Sequence, residues 1–170
     1  TIAVALLLGL PLPLLPAQII WLNFFTDGFL DVSLAMEPKE KGLLQGNFER
    51  PKKYLVDRLM TYRMAYMAIP MAIGALYLFS QYYETDIAKA WTMSLTVLAV
   101  FQWFNAWNCR HESMSIFQMN PFSNKFLVGA TIITVLLQLF AVYNPIMQKF
   151  LHTVPLEPRE WFVIVSIATS

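Results

Sequence analysis

Residues 17–36 read AQIIWLNFFTDGFLDVSLAM. Wound as an α-helix, a stretch of this length covers about 30 Å, the thickness of a bilayer's hydrocarbon core. It nevertheless carries two carboxylates, Asp27 and Asp31. A charge at the centre of a bilayer costs about 3 kcal/mol or more. Two on one helix are therefore expected to face a bundle interior or an aqueous cavity and not lipid. This stretch makes the chain a membrane bundle with something polar at its middle.

The flanking sequence repeats the apolar pattern without the charges. Met64 to Tyr82, Ala90 to Trp107 and Phe126 to Tyr143 hold no Asp, Glu, Lys or Arg. Each is about the length that a spanning helix needs. Pro70 is expected to kink the first of them. Ile2 to Leu10 is shorter and stops at Pro11, Pro13 and Pro16, so it reads as the tail of a helix. A last run opens near Trp161 and continues to the end of the sequence, WFVIVSIATS. The expected fold is an all-α, multi-span transmembrane helical bundle with four whole helices and two partial ones. The helices are placed at residues 17–36, 62–82, 89–108 and 125–143, with partial ones at 1–10 and 160–170. The chain begins on Thr1 inside an apolar run, with no basic segment before it, so a signal peptide is not expected and a longer parent polypeptide is.

Composition agrees. Hydrophobic residues make up 57% of the 170 and charged residues 14%, against about 25% charged in soluble domains. The net charge of +1 offers no basic stripe, so a nucleic-acid partner is not expected. Cys109 is the one cysteine, and His111 and His152 lie far apart, which excludes an internal disulfide and the usual zinc spacings.

The chain's 12 Lys and Arg are unevenly divided. Lys39, Lys41, Arg50, Lys52, Lys53, Arg58 and Arg63 lie between the second and third runs, and Arg110 and Lys125 between the fourth and fifth. Only Lys89, Lys149 and Arg159 fall on the other side. The positive-inside bias then predicts a multi-pass integral membrane protein with its basic loops in the cytoplasm. The large basic loop also holds Glu37, Glu40, Glu49 and Asp57, and its cations suit lipid headgroups or a soluble domain. Trp21, Tyr82, Tyr83, Trp91, Trp107, Tyr143 and Trp161 are expected to form interfacial belts, and Trp103 to pack between helices.

Chemistry concentrates around Asp27. Asn23, Thr26 and Asp27 stand at i, i+3 and i+4, which on an α-helix is one face. Amide, hydroxyl and carboxylate oxygens are hard ligands that suit calcium, magnesium or sodium. Gly28 follows, and is expected to let backbone carbonyls leave the helical ladder beside a cavity. Asp31, one turn on, is a second ligand, an access-path residue or a cytoplasm-side ion pair. Gln102 and Asn105 share a face of the fourth run, where ligation competes with ordinary interhelical hydrogen bonding. Gln138 is assigned to helix packing. Cys109, His111 and Glu112 read as a solvated turn.

The run from Pro16 through Gln18, Trp21, Asn23, Thr26 and Asp27 to Gly28 resembles the sixth transmembrane helix of calcium-type P-type cation-transporting ATPases. Met36-Glu37-Pro38 fits the end of that helix. Leu8 to Pro11 resembles the end of the fifth helix. Asn105-Ala106-Trp107-Asn108, Asn120-Pro121 and Asn124 to Gly129 resemble the eighth helix, its loop and the ninth, and Leu156 to Trp161 the approach to the tenth. The resemblance implies that residues 1–170 are a single C-terminal membrane domain fragment of such a pump. It implies that Asn23 and Asp27 are calcium ligands, that Thr26 serves the other site of two-site pumps, and that Gln102 replaces a ligand glutamate, as in one-site pumps. Leu30 and Asp31 depart from the pattern, which has a proline and a small residue there, and the extra carboxylate bears on cation identity or proton coupling.

What moves is then expected to be a cation, calcium first. ATP and magnesium would bind only in the other domains of the same pump, since no phosphate-cradling glycine loop and no Asp-Lys-Thr-Gly-Thr occurs here. The lipid bilayer is the other expected partner. Two rival readings share the residues: a secondary cation transporter or channel with a midplane acidic site, and a structural bundle that moves nothing.

Overall fold

Backbone N–H and C=O groups in an apolar setting must pair with one another, and the helix is the local way to do so. The computed structural model describes residues 1–37, 58–110 and 121–169, with the backbone alone for Leu59 and Pro121. All regular structure among them is helical. The helices are α1 (Ile2–Leu7), α2 (Pro16–Trp21), α3 (Gly28–Ala35), α4 (Arg58–Tyr82), α5 (Ile87–Asn108), α6 (Lys125–Tyr143), α7 (Pro145–Leu151) and α8 (Pro158–Ala168). A π-helical turn, Leu22–Asp27, joins α2 to α3. A 3-10 turn, Pro121–Ser123, precedes α6. The expected features at Pro38, Lys39, Glu40, Lys41, Glu49, Arg50, Lys52, Lys53, Asp57, His111, Glu112 and Asn120 lie outside the described residues.

Local chemistry sets the boundaries. Gly9, at φ +70°, closes α1, with Leu10 N–H donating to the Ala5 carbonyl at 3.0 Å, a left-handed stop that glycine adopts without strain. Pro16 opens α2, and the Gln18 amide oxygen accepts from Leu15 N–H at 3.0 Å. Asp86, Asn124 and Asn144 cap α5, α6 and α7 by accepting from backbone N–H groups of the first turns. Three helical stretches are long and apolar enough to cross a membrane: Met60–Tyr82, Ile87–Asn108 and Lys125–Tyr143. Helix α4 runs through Pro70 and begins at Arg58, which takes Arg58 and Arg63 into the helix. Helix α7 has no counterpart among the expected spans.

Helix α5 is the centre. Thr92 to Phe101 are buried without a break, as expected of a helix with neighbours all round. α4, α6, α8 and the π turn pack against it. Its hydroxyls tie these neighbours together. Ser94 Oγ donates to the Ala75 carbonyl in α4 at 3.4 Å, and Gln138 Nε2 in α6 donates to Thr96 Oγ1 at 3.1 Å. Thr92 Oγ1 accepts from Val154 N–H at 2.9 Å. Gln138 thus packs between helices, as does Trp103, which touches both apolar clusters. The outside of the bundle is apolar as well, with Leu7 87%, Tyr66 80% and Phe24 69% exposed. The molecule is an integral membrane bundle.

The aromatic residues divide. Trp91, Trp107 and Trp161 donate through Nε1 to Leu12 O, Thr131 Oγ1 and Tyr143 OH at 2.9, 3.0 and 2.9 Å. Trp21 instead is buried against Phe25, ring centroids 4.5 Å apart, and belongs to the core and not to an interfacial belt.

An ion cluster ties three helix ends. Arg110, just past α5, donates from Nε and Nη2 to the Glu37 carboxylate at 2.8 to 3.3 Å and from Nη2 to Ser123 Oγ at 2.6 Å. Asn124 Nδ2 donates to Glu37 Oε2 at 2.6 Å and to the Ser33 carbonyl at 3.0 Å. The Arg110 hydrogen bonds hold the Glu37 carboxyl below its ordinary pKa of 4.5; partial burial opposes them and the Asn124 contact adds to them. The associated stability is complete above that ordinary value and lost as pH falls through the lowered one. Melting curves of the full-length protein should therefore fall with acidification below about pH 4.5, and Glu37→Gln should remove part of that dependence.

Gly74 sets the spacing of α4, α5 and α8. A Cβ there would lie 2.8 Å from Ile167 Cγ2 and 3.0 Å from Phe101 Cε2. Gly74→Val should destabilise the full-length protein by about 1–3 kcal/mol, as overpacked cores do, read as a lower melting temperature in detergent.

Candidate cation site

The middle of the α2–α3 helix winds differently from its ends. Gly28 N–H donates to the Asn23 carbonyl, five residues back. The change from i+4 to i+5 bonding adds one residue to the turn without breaking the helix. Gly28 itself keeps helical angles, φ −57° and ψ −44°. The backbone therefore does not unwind at Gly28; it widens just ahead of it. Helical bulges of this kind recur at functional sites.

Widening redistributes the side chains. When a turn takes more than four residues, neighbours on one face are four and five apart, and a residue three away turns aside. Asn23 and Asp27 stay together. Thr26 does not: it is buried, 3% exposed, whereas Asn23 is exposed and Asp27 half-buried. The single-face reading of all three thus fails for Thr26. Sequence periodicity assumed an α-helix throughout, and only the Gly28 glycine hinted otherwise.

Across from the π turn stands α5. A cleft of about 410 Å³ opens between α1, the π turn and α5, lined by Thr1, Leu22, Asn23 and Gln102 among others. Gln102 Oε1 is buried and has no hydrogen-bond partner among the described residues. An unpaired buried amide oxygen costs about 1–3 kcal/mol, and a cation is one partner that would relieve it. Asn23 and Gln102, 79 positions apart in the sequence, are thereby brought to one space. Asn105, expected to share the Gln102 face, donates instead to Met71 Sδ at 3.1 Å.

Asp31 lies on the exposed side of α3. Among the described residues no hydrogen bond or ion pair reaches the side chains of Asn23, Asp27 or Asp31. Lys89, inside α5, is paired with Glu160 of α8. Among the described residues no group of three His, Cys, Asp or Glu side chains is close enough to hold a metal by itself. The cleft gathers the Asn23 and Gln102 amides; Asp27, four residues along the turn from Asn23, is half-buried and does not line it.

Known proteins add an independent line. The family described as cation transporting ATPase, C-terminus, matches residues 11–170. A calcium-transporting ATPase of Bacillus subtilis is 31% identical over 167 residues, covering 96% of this chain and 19% of the relative. Calcium-transporting ATPase 1 of Saccharomyces cerevisiae is 30% identical over 176 residues, covering 99% and 18%. Calcium-transporting ATPase type 2C member 2 of Rattus norvegicus is 28% identical over 165 residues, covering 95% and 18%. The chain spans about a fifth of the length of these relatives.

A lost contact to a charged partner is worth about 1.5–3 kcal/mol, roughly 10- to 100-fold in affinity. If the cleft holds calcium in the full-length protein, Asn23→Ala should weaken that binding by at least about tenfold, measured with radioactive calcium. Thr26→Val, on the buried side of the π turn, should change it less than about threefold.

Proposed function

The chain belongs to the family of cation-transporting ATPase C-termini, and from that membership we propose that it is the membrane transport domain of an ATP-driven pump whose cargo is calcium. The observation that carries the proposal is the placement of Asn23 and Asp27 on a widened turn in the middle of a membrane-length helix, with Gln102 lining the cleft beside Asn23. One carboxylate and two amide oxygens are hard ligands suited to calcium. A carboxylate in that setting is expected to serve an ion path.

In the whole pump, ATP with magnesium would phosphorylate an aspartate in a domain outside this chain, and the change would be felt here as a shift of helix packing. Asp27 supplies the charge that makes a dehydrated cation tolerable, and Asn23 and Gln102 supply neutral oxygens. Weak ligation on one side of the membrane and strong ligation on the other then follow from how closely these oxygens can converge. With Gln102 neutral and Thr26 turned aside, the arrangement suits a single cation. Asp31, one turn nearer the end where Arg63 and Arg110 lie, suits the cytoplasmic approach. The basic ends of α4, α5 and α6 would face the cytoplasm. The remaining ligands and the ATP-handling machinery would come from the rest of the pump.

Asp27→Asn in the full-length protein is the test. It keeps the volume and removes the charge. Calcium-dependent phosphorylation from ATP and calcium uptake into vesicles should fall by roughly 10- to 100-fold, since a lost charged contact costs about 1.5–3 kcal/mol. Uptake unchanged by Asp27→Asn would leave a bundle that moves no cation through this site.

A further inference from the structure

Four side chains at the end of α3 are arranged more carefully than stability requires. Arg110 has a side chain only 1% exposed, yet it is a guanidinium. It grips Glu37 through two nitrogens and Ser123 through one of them, and its guanidinium carbon lies 5.4 Å from the centroid of the Trp107 ring. Burying the guanidinium costs several kcal/mol before any gain, while the Glu37 side chain stays 27% exposed. What the contact supplies is a defined geometry, since a bidentate Arg–carboxylate pair gives direction as well as attraction.

That geometry is imposed on the helix that carries the ligands. Glu37 follows α3, Arg110 follows α5, Ser123 belongs to the 3-10 turn, and Asn124 caps α6. Asn124 uses every polar atom: Oδ1 accepts from Leu127 N–H, and Nδ2 donates to Glu37 and to the Ser33 carbonyl inside α3. The opposite end is held too, where Gln18 Nε2 in α2, 0% exposed, donates to the Leu151 carbonyl at 2.8 Å. The helix is thus pinned at both ends, with the π turn between. The direction of α3 leaving that turn decides where the Asp27 carboxylate sits.

We propose that Arg110 and Asn124 are positioning residues for cation transport: by holding Glu37 and the Ser33 carbonyl they fix α3 and, through it, Asp27. The proposal rests on the transport reading given above. It assigns a function to residues that touch no cation, on helices other than the one they orient.

The test uses the full-length pump in membranes, with calcium as the probe and phosphorylation from ATP as the readout. Arg110→Lys keeps the charge and loses the fork. Asn124→Ser keeps a cap for α6 and loses the amide donor. Both should raise the calcium concentration for half-maximal phosphorylation by roughly three- to tenfold. That is below the roughly 10- to 100-fold cost of losing an outer-shell partner of a metal ligand. Phosphoenzyme at saturating calcium should stay at the parent's level. An unmoved half-saturating concentration in both variants overturns the proposal. So does a loss of phosphoenzyme at saturating calcium with half-saturation unmoved, since that is the mark of a merely structural contact. Should Arg110→Lys fail to accumulate, Asn124→Ser decides alone. A parent protein without calcium-stimulated phosphorylation overturns the transport reading and this one together; a responsive parent with unmoved variants overturns this one only.

Discussion

A carboxylate inside an apolar helix is the constraint on which this bundle turns. Asp27 lies in the middle of a stretch long enough to cross a membrane, and desolvating it costs more than most single contacts return. Everything near it answers that cost. The helix widens at Leu22–Asp27 without breaking, so the backbone stays hydrogen-bonded. A cleft opens between Asn23 and Gln102, and the Gln102 amide oxygen is buried without a partner among the described residues. The rest of the molecule keeps that helix in place: α5 is buried on all sides, Gln18 holds one end, and the Glu37–Arg110–Asn124 cluster holds the other.

Much of the fold was legible from the amino-acid order because apolar runs in a membrane protein are long and unbroken. Three such runs became α4, α5 and α6. The all-helical class followed from the same rule, that no other local arrangement pairs its own backbone without water. The proline stop after the first run also held, since α1 ends before Pro11, while the left-handed residue that closes it, Gly9, went unread. Asp27 stood out for a different reason: a carboxylate in the middle of a stretch long enough to cross a bilayer is costly.

What was not legible depended on winding and on distance along the chain. The placement of Thr26 beside Asn23 presumed 3.6 residues per turn, and a single extra residue in the turn moved Thr26 into the core. No residue pattern announces a π turn. Trp21 looked interfacial by its place at a run's edge, but that edge is packed against the other helices. Glu37 and Arg110 were read only as loop charges and Asn124 only as part of a resemblance, because the sequence holds Glu37 73 and 87 positions from the other two. Only the packing of the end of α5 and the start of α6 beside the end of α3 brings them together.

The hydroxyls of α5 carry a mechanical meaning. Ser94 is bonded to α4, Thr96 to α6, and Thr92 to the segment leading into α8. Such bonds break if the central helix slides by even one residue, about 1.5 Å. They survive if a helix outside this set tilts. The molecule therefore behaves as a mast with stays. α4, α5, α6 and the lead into α8 are lashed in register, and the Glu37–Arg110–Asn124 cluster and the Gln18–Leu151 bond tie α2 and α3 to the same frame. In such a frame, axial sliding of α5 past its neighbours would cost all three hydroxyl bonds together.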